Sequence, residues 1–209
     1  MIGIIDYGMG NLFSVSKALE RMNIPYQLGE RPYQIEDCDG YILPGVGAFP
    51  DAMKALHEHG FIDFIHRKIN ENFPFYGICL GMQLLFERSE EGGITAGLGH
   101  FPGNIVRFSD KDENGDAYKV PHMGWNRLNI HQPDQPLFTD VLEDYVYFVH
   151  SYVVETKDTS ILYATADYHR QVPAIVGRGN VVASQFHPEK SGSAGVKLLE
   201  NFCKTMVKQ

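Results

Sequence analysis

The sequence predicts an α/β fold in which helices flank a mostly parallel central sheet, with extra antiparallel strands in the second half. Two patterns support this prediction. Short apolar runs alternate with helical segments up to residue 86, whereas strand-like segments dominate from residue 105 to residue 186. The 209 residues contain no internal repeat and no interdomain linker, so we expect a single domain over residues 1–209.

The first half is predicted to open with a buried strand over residues 2–5. Asn11 is then expected to cap a helix, because apolar side chains follow it at helical spacing. Further strands are predicted over residues 26–28, 40–43 and 73–78, the second of them stopped by Pro44. Further helices are predicted from residue 50 to residue 56 and from residue 61 to residue 69.

The second half is predicted to be rich in strands. The strongest prediction is one continuous strand over residues 145–154, which is dense in β-branched and aromatic side chains. The other predicted strands cover residues 105–108, 128–130, 161–166, 174–176 and 181–186, and a final helix covers residues 194–207.

The composition excludes several classes of protein. A formal net charge of −8 disfavours a nucleic-acid binder and a surface that docks on anionic lipid. The three cysteines are odd in number and widely spaced, which suits a reducing compartment better than a disulfide framework. We find no signal-peptide pattern and no apolar run of the length that a membrane helix requires, so a cytoplasmic protein is expected.

A candidate nucleophile lies where a predicted strand meets a predicted helix. Cys79 is flanked by Gly77 and Gly81, which is the glycine–x–nucleophile–x–glycine pattern of a nucleophile elbow. The small neighbours leave the side chain uncrowded, and a helix N-terminus behind it favours the thiolate. The alternative is a buried structural cysteine.

A candidate base and its carboxylate partner follow more than 100 residues later. His187 and Glu189 are two positions apart on a predicted strand, so both are expected to face the same side. A cysteine nucleophile requires such a base, held by an acidic group. The alternative is a solvated histidine beside a surface glutamate, and the presence of the elbow favours the triad.

Two other patterns fail on closer reading. Gly8 and Gly10 resemble the start of a dinucleotide fingerprint, but Phe13 occupies the position of its last glycine. The acidic segment that begins at Asp110 resembles a calcium loop, but Pro121 stands where its bidentate glutamate belongs. We therefore expect neither a cofactor nor a metal.

Together these motifs resemble the class I (triad) glutamine amidotransferases. The elbow and His187-Pro188-Glu189 are shared across that class. Segments 4–11, 43–49, 120–126, 147–152 and 186–192 extend the resemblance over essentially the whole chain. They match most closely the glutaminase subunits that serve histidine biosynthesis, with Asp6-Tyr7-Gly8-Met9-Gly10-Asn11 and Met123-Gly124-Trp125-Asn126 as the discriminating segments.

The resemblance implies hydrolysis of L-glutamine to glutamate and ammonia by Cys79, His187 and Glu189. The Leu80 N–H is expected to stabilise the oxyanion, and the loop Gly45-Val46-Gly47 is expected to supply a second donor. By the resemblance, Gln83 and Glu91 recognise the amino-acid end of glutamine; the alternative is a polar helix face. Tyr147 and Lys190 match positions that gate ammonia, although they also suit a core tyrosine and a surface lysine.

The resemblance also implies a partner, a (β/α)8-barrel cyclase chain that takes up the ammonia directly. Met9, Asn11 and Trp125 are interface candidates, and the alternative for Trp125 is a core position. Three other functions stay open. They are the glutaminase subunit of a different synthase, a stand-alone cysteine hydrolase of γ-glutamyl peptides, and an inactive binding module.

Overall fold

The computed structural model describes residues 1–111, 115–141 and 145–207. Its five α-helices within these ranges are α1 Leu12–Arg21, α2 Phe49–Glu58, α3 Phe61–Asn70, α4 Leu80–Leu84 and α5 Gly192–Asn201. The strands of the first half are β1 Ile2–Ile5, β2 Tyr26–Gly29, β3 Gly40–Gly45, β4 Phe75–Cys79, β5 Phe86–Ser89, β6 Thr95–Ala96 and β7 Phe101–Arg107. Those of the second half are β8 His122–Arg127, β9 Asn129–Ile130, β10 Tyr145–His150, β11 Tyr152–Glu155, β12 Leu162–Asp167, β13 Gln171–Arg178 and β14 Val181–Ser184.

The central sheet confirms the predicted α/β class. Across the described residues it has eight strands in the order β2-β1-β3-β4-β14-β13-β12-β9. The pairs from β2 to β14 are parallel, whereas those from β14 to β9 are antiparallel. Smaller sheets are formed by β10 with β8 and by β11, β7, β5 and β6. Most antiparallel pairs therefore involve strands of the second half, as predicted, but the antiparallel pair of β5 and β6 lies in the first half and was not predicted.

Both faces of the central sheet are buried by helices. One apolar cluster joins Ile4 and Ile78 of the sheet to α1 and α5, and the other joins Leu43 and Phe75 to α2 and α3. Every residue of the parallel strands β1, β3 and β4 is buried, so these strands read as nearly continuous hydrophobic runs. The core thus fixes β4 in the middle of the molecule, and the candidate nucleophile lies at its end.

The predicted strand over residues 145–154 is wrong as a single element. The chain breaks at Ser151, so that β10 pairs with β8 while β11 pairs with β7 in a different sheet. High β-propensity describes each half correctly, but it carries no information about which sheet a strand joins.

Other elements also differ from prediction. Pro44 does not stop β3, because the strand continues to Gly45 beside β4. The last helix ends at Asn201, and a π-helical segment, Phe202–Met206, replaces its predicted C-terminal part. Strand β8 was not predicted, since it contains no β-branched residue.

No helix in the described ranges is both long enough and apolar enough to cross a membrane. The acidic segment that resembles a calcium loop falls partly on residues 112–114, which lie outside the described residues.

Candidate active site

Cys79 lies on a strained turn between β4 and α4. Its φ is 55° and its ψ is −110°, a conformation that costs a non-glycine residue about 1–3 kcal/mol. The flanking glycines permit this turn. A Cβ on Gly81 would lie 1.9 Å from the carbonyl oxygen of Leu43, and one on Gly77 would lie 2.8 Å from that of Gly81. The spacing of the elbow glycines therefore follows from backbone packing.

A pocket of about 370 Å³ opens around Cys79 at the carboxyl ends of the central strands. Its volume falls within the range of small-molecule sites, and the ends of parallel strands are where α/β proteins bind ligands. The lining residues are Val46, Gly47, Cys79, Leu80, Gln83, Glu91, Pro121, Val149, His150, Ser151, Tyr152 and His187. The candidate nucleophile and the candidate base thus share one cavity.

His187 and Glu189 contact each other, but not for the reason that the sequence suggested. His187 Nδ1 lies 2.9 Å from Glu189 Oε1, and the glutamate side chain is fully buried. The pair is not on a strand, because β14 ends at Ser184 and Pro188–Lys190 is a 3-10 turn. The turn, rather than strand alternation, folds the carboxylate back onto the ring.

The electrostatics of the site favour a charged imidazole. Burial by itself lowers the pKa of His187, but hydrogen bonding and charge from Cys79 and Glu189 outweigh it and raise the pKa to about 10. An imidazolium beside a sulfur atom favours the thiolate, which is the nucleophilic form of cysteine. The arrangement therefore suits nucleophilic attack followed by proton donation.

The predicted oxyanion donors lie beside the nucleophile. Leu80 is the first residue of α4 and lines the pocket. A Cβ on Gly45 would lie 2.8 Å from the backbone nitrogen of Gly81, so the end of β3 approaches the elbow closely. The Val46 N–H, however, donates to the carbonyl oxygen of Met9 at 3.2 Å. In this conformation it is engaged within the protein.

The two predicted substrate-binding residues both reach the pocket. Gln83 is buried in α4, and its Nε2 donates to the Tyr152 carbonyl at 3.1 Å and to Gln185 Oε1 at 2.9 Å. Glu91 lies in the turn between β5 and β6, where its Oε2 accepts from the Phe49 N–H at 2.8 Å. The alternative of a polar helix face fits neither residue.

The predicted gate residues lie close to the triad. Tyr147, on β10, is half-buried; its N–H donates to Ser191 Oγ at 3.0 Å and its ring lies 5.9 Å from that of Trp125. Lys190 is exposed, and its N–H donates to the carbonyl oxygen of His187 at 3.0 Å.

The predicted interface residues lie at or near the surface. Trp125 is 56% exposed, which rules out a core position. Met9 is half-buried, and Asn11 caps α1 by accepting from the Ser14 N–H at 3.4 Å.

Several pocket residues were not predicted. Val149, His150, Ser151 and Tyr152 line the cavity at the break between β10 and β11, and Pro121 precedes β8. The sequence offered one signal, since these residues fall in two of the segments that carry the family resemblance. Because residues 145–154 were predicted as one strand, the prediction missed the bend at Ser151 that places these residues in the wall of the pocket.

A larger groove, of about 870 Å³, lies elsewhere on the protein. It is lined by residues such as Glu155, Lys157 and Arg170 and includes neither cysteine nor histidine. Size alone therefore does not identify the reactive site, and the smaller pocket carries the chemistry.

Comparison with known proteins agrees with this geometry. The model of the family "Glutamine amidotransferase class-I" matches residues 3–206. A protein of Halalkalibacterium halodurans named imidazole glycerol phosphate synthase subunit HisH is 55% identical over 202 residues, covering 97% of this chain and 94% of its own. The HisH subunit of Bacillus subtilis (strain 168) is 51% identical over 209 residues, covering 100% and 98%.

Solved structures share the fold at lower identity. One of PurLQS from Thermotoga maritima superposes with a TM-score of 0.74 at 18% identity, covering 96% of each chain. At that identity the likeness shows the fold alone, whereas the sequence relatives show the family. The chain belongs to the class I glutamine amidotransferases and, within them, to the HisH subunits of imidazole glycerol phosphate synthase.

Proposed function

We propose that the chain hydrolyses the side-chain amide of L-glutamine as the glutaminase subunit of imidazole glycerol phosphate synthase. The observation that carries this proposal is that Cys79 and His187 line one pocket while Glu189 holds the His187 ring from behind. The names of the HisH relatives support the assignment to that synthase.

The reaction proceeds through a thioester. The Cys79 thiolate attacks the amide carbon, and the oxyanion forms beside the Leu80 N–H at the start of α4. His187 donates its proton to the leaving nitrogen, so the C–N bond breaks and ammonia departs. His187 then takes a proton from water, which attacks the thioester and releases glutamate and the free thiolate. Glu189 orients the ring and offsets its charge throughout.

The polar groups of the pocket suit the amino-acid end of glutamine. The carboxylate of Glu91 offers a charge partner for the α-ammonium group. Gln83 uses its Nε2 inside the protein, so we assign its Oε1 as the group that faces the substrate. Both residues line the cavity that contains Cys79.

We propose that the partner is the cyclase subunit HisF, a (β/α)8-barrel. Free ammonia in neutral water is largely protonated and no longer nucleophilic, so it must pass directly to the chain that uses it. One face of the β8–β10 ribbon offers a docking surface, since Met123, Trp125 and Tyr145 are each more than half exposed there. Met9 and Asn11 extend the proposed contact, and Tyr147 and Lys190 are the proposed gate for ammonia.

The partner is also proposed to activate the site. The Val46 N–H is bonded to the Met9 carbonyl, so it must turn before it can face an oxyanion. Gly47 has a φ of 94°, and the adjacent glycines make such a peptide rotation inexpensive. Docking close to Met9 is the proposed trigger.

A glutaminase assay on three samples tests the proposal. We expect slow glutamate release by the chain alone and release about a hundredfold faster or more with HisF and its phosphorylated ribulosyl formimino substrate, the effect of about 3 kcal/mol from one added oxyanion donor. Cys79→Ala should abolish release while the circular dichroism spectrum stays unchanged. Retained turnover in that variant would refute the triad, and equal rates with and without HisF would refute the activation.

The same samples separate the alternatives. A stand-alone hydrolase would cleave γ-glutamyl peptides at full rate without any partner. An inactive module would release no glutamate under any condition. A subunit of another synthase would be activated by a different chain and would not bind HisF.

A further inference from the structure

A line of side-chain hydrogen bonds runs from β8 to the wall of the pocket. Asn126 Nδ2 lies 3.4 Å from His122 Nε2, and His122 Nδ1 lies 3.0 Å from His150 Nε2. His150 Nδ1 in turn lies 2.8 Å from the carbonyl oxygen of Tyr152. Neither histidine belongs to the catalytic triad, and both are more than nine-tenths buried.

The Tyr152 carbonyl at the end of this line determines which atom is the donor in each of its hydrogen bonds. A carbonyl oxygen only accepts, so His150 Nδ1–H donates to Tyr152. The Nε2 of a neutral His150 is then an acceptor, which requires His122 to donate from Nδ1. His122 Nε2 is left to accept from the Asn126 amide. With both rings neutral, these contacts assign one tautomer to each ring.

Aromatic packing holds the two rings in place. His122 is stacked between Phe148, at 4.5 Å between ring centroids, and Tyr168, at 4.0 Å. His150 packs against Phe108 at 5.2 Å. Burial among such groups favours neutral imidazole, in agreement with the assigned tautomers.

The line of hydrogen bonds ends at the Tyr152 carbonyl, which also bonds a residue of the pocket. The Tyr152 carbonyl also accepts from Gln83 Nε2 at 3.1 Å, and the same nitrogen donates to Gln185 Oε1 at 2.9 Å. Gln185 Nε2 lies 4.0 Å from Cys79 Sγ. His150, Tyr152 and Gln83 all line the pocket. The histidine pair thus fixes an acceptor that sets the position of Gln83.

We propose that His122 and His150 are positioning residues for glutamine binding, acting through the Tyr152 carbonyl on Gln83 and on the pocket wall over residues 149–152. This inference rests on the proposed glutaminase function. Neither ring touches the reacting atoms, so their loss should weaken substrate binding more than it slows the chemical steps.

Matched variants in the complex with HisF and its phosphorylated ribulosyl formimino substrate test the proposal. His150→Phe keeps the ring but removes both nitrogens, whereas His150→Asn keeps a donor at the position of Nδ1. His122→Phe and His122→Asn form the equivalent pair. The control is His131→Phe. His131 Nε2 lies 2.7 Å from Thr165 Oγ1, and His131 does not line the pocket.

We expect His150→Phe to raise the KM for glutamine about tenfold or more, because the Tyr152 carbonyl loses one of its two donors and the buried His122 loses its acceptor, while kcat changes less than about threefold. His150→Asn should return KM to within about threefold of the wild type, and His131→Phe should leave both constants unchanged. Equal KM values for His150→Phe and His150→Asn, or no change in either, would overturn the proposal.

Thermal unfolding of each variant shows whether it folds, so that a change in KM can be separated from a loss of folded protein. If His150→Phe does not fold, the two His122 variants are judged by the same criteria. A wild-type complex that releases no glutamate would instead refute the proposed function, which separates failure of that proposal from failure of the positioning role.

Discussion

Two buried histidines make the folded protein sensitive to acid. Burial lowers the pKa of His122 to about 4 and that of His150 to about 3, whereas an unfolded histidine titrates near about 6.5. Between these values the unfolded chain binds more protons than the native one. The stability that the neutral rings contribute is therefore fully present above about pH 6.5, and it is lost as the pH falls to about 4 for His122 and to about 3 for His150.

This linkage predicts the outcome of denaturant titrations at pH 7 and pH 5. We expect each of the two histidines to account for a loss of about 2 kcal/mol in the free energy of unfolding at the lower pH. His150→Phe should lose about 2 kcal/mol less than the wild type over that interval, because one titrating ring is gone. An identical pH dependence for the two proteins would contradict the assignment of a buried neutral His150.

The residue scale also shows what the sequence could reveal about the site. The glycine spacing around Cys79 and the motif at His187 identified the triad candidates, because both patterns are local. Gln185 and His150 carried no such signal, since their partners, Cys79 and His122, are distant in sequence. The proposed role of Gln83 came from the family resemblance, whereas its internal hydrogen bonds required the fold.

At the scale of elements, the Glu36 carboxylate pairs with two cations of α3 and so joins that helix to the segment before β3. Lys68 is buried, and its Nζ lies 2.9 Å from Glu36 Oε1 and 4.4 Å from the centroid of the Phe73 ring. Arg67 binds the same carboxylate through both of its terminal nitrogens, at 2.7 and 2.8 Å. The hydrogen bonds from Arg67 and Lys68 lower the pKa of Glu36 to about 2.

We expect Glu36→Gln to lower the free energy of unfolding by about 1–2 kcal/mol, since Lys68 would stay buried without its charge partner. The control is Glu71→Gln, whose carboxylate lies 3.8 Å from Arg67 on the exposed side of the same helix and should contribute less than about 0.5 kcal/mol. Urea titrations at pH 7 measure both variants. Equal effects would show that burial of Lys68 does not matter.

Helices were predictable wherever apolar residues recur clearly at helical spacing. The helices that cover the parallel strands have clear apolar faces, and α1, α2 and α3 lie where the pattern placed them. Strand β8 was missed because its sequence, His-Met-Gly-Trp-Asn-Arg, owes its conformation to pairing with β10. The break at Ser151 could not be predicted, since it arises because the residues before it and after it pair with strands of two different sheets.

At the scale of the whole molecule, the site depends on topology. Cys79 ends a strand between β3 and β14, so the loop after β3 and the segment after β14 meet at the nucleophile. The β8–β10 ribbon connects the exposed face that we propose for docking to the pocket wall at residues 149–152. A partner on that face would thus contact the element that carries His122 and His150.

The most direct test of the proposed catalytic triad is covalent labelling of the complex with a glutamine-derived chloroketone, followed by peptide mass mapping. All three cysteines are buried, but only Cys79 lines the pocket beside His187. We expect one adduct, on Cys79, that forms much more slowly in His187→Ala and leaves Cys38 and Cys203 unmodified. Steady hydrolysis of glutamine by a protein whose Cys79 stays unlabelled would contradict the account.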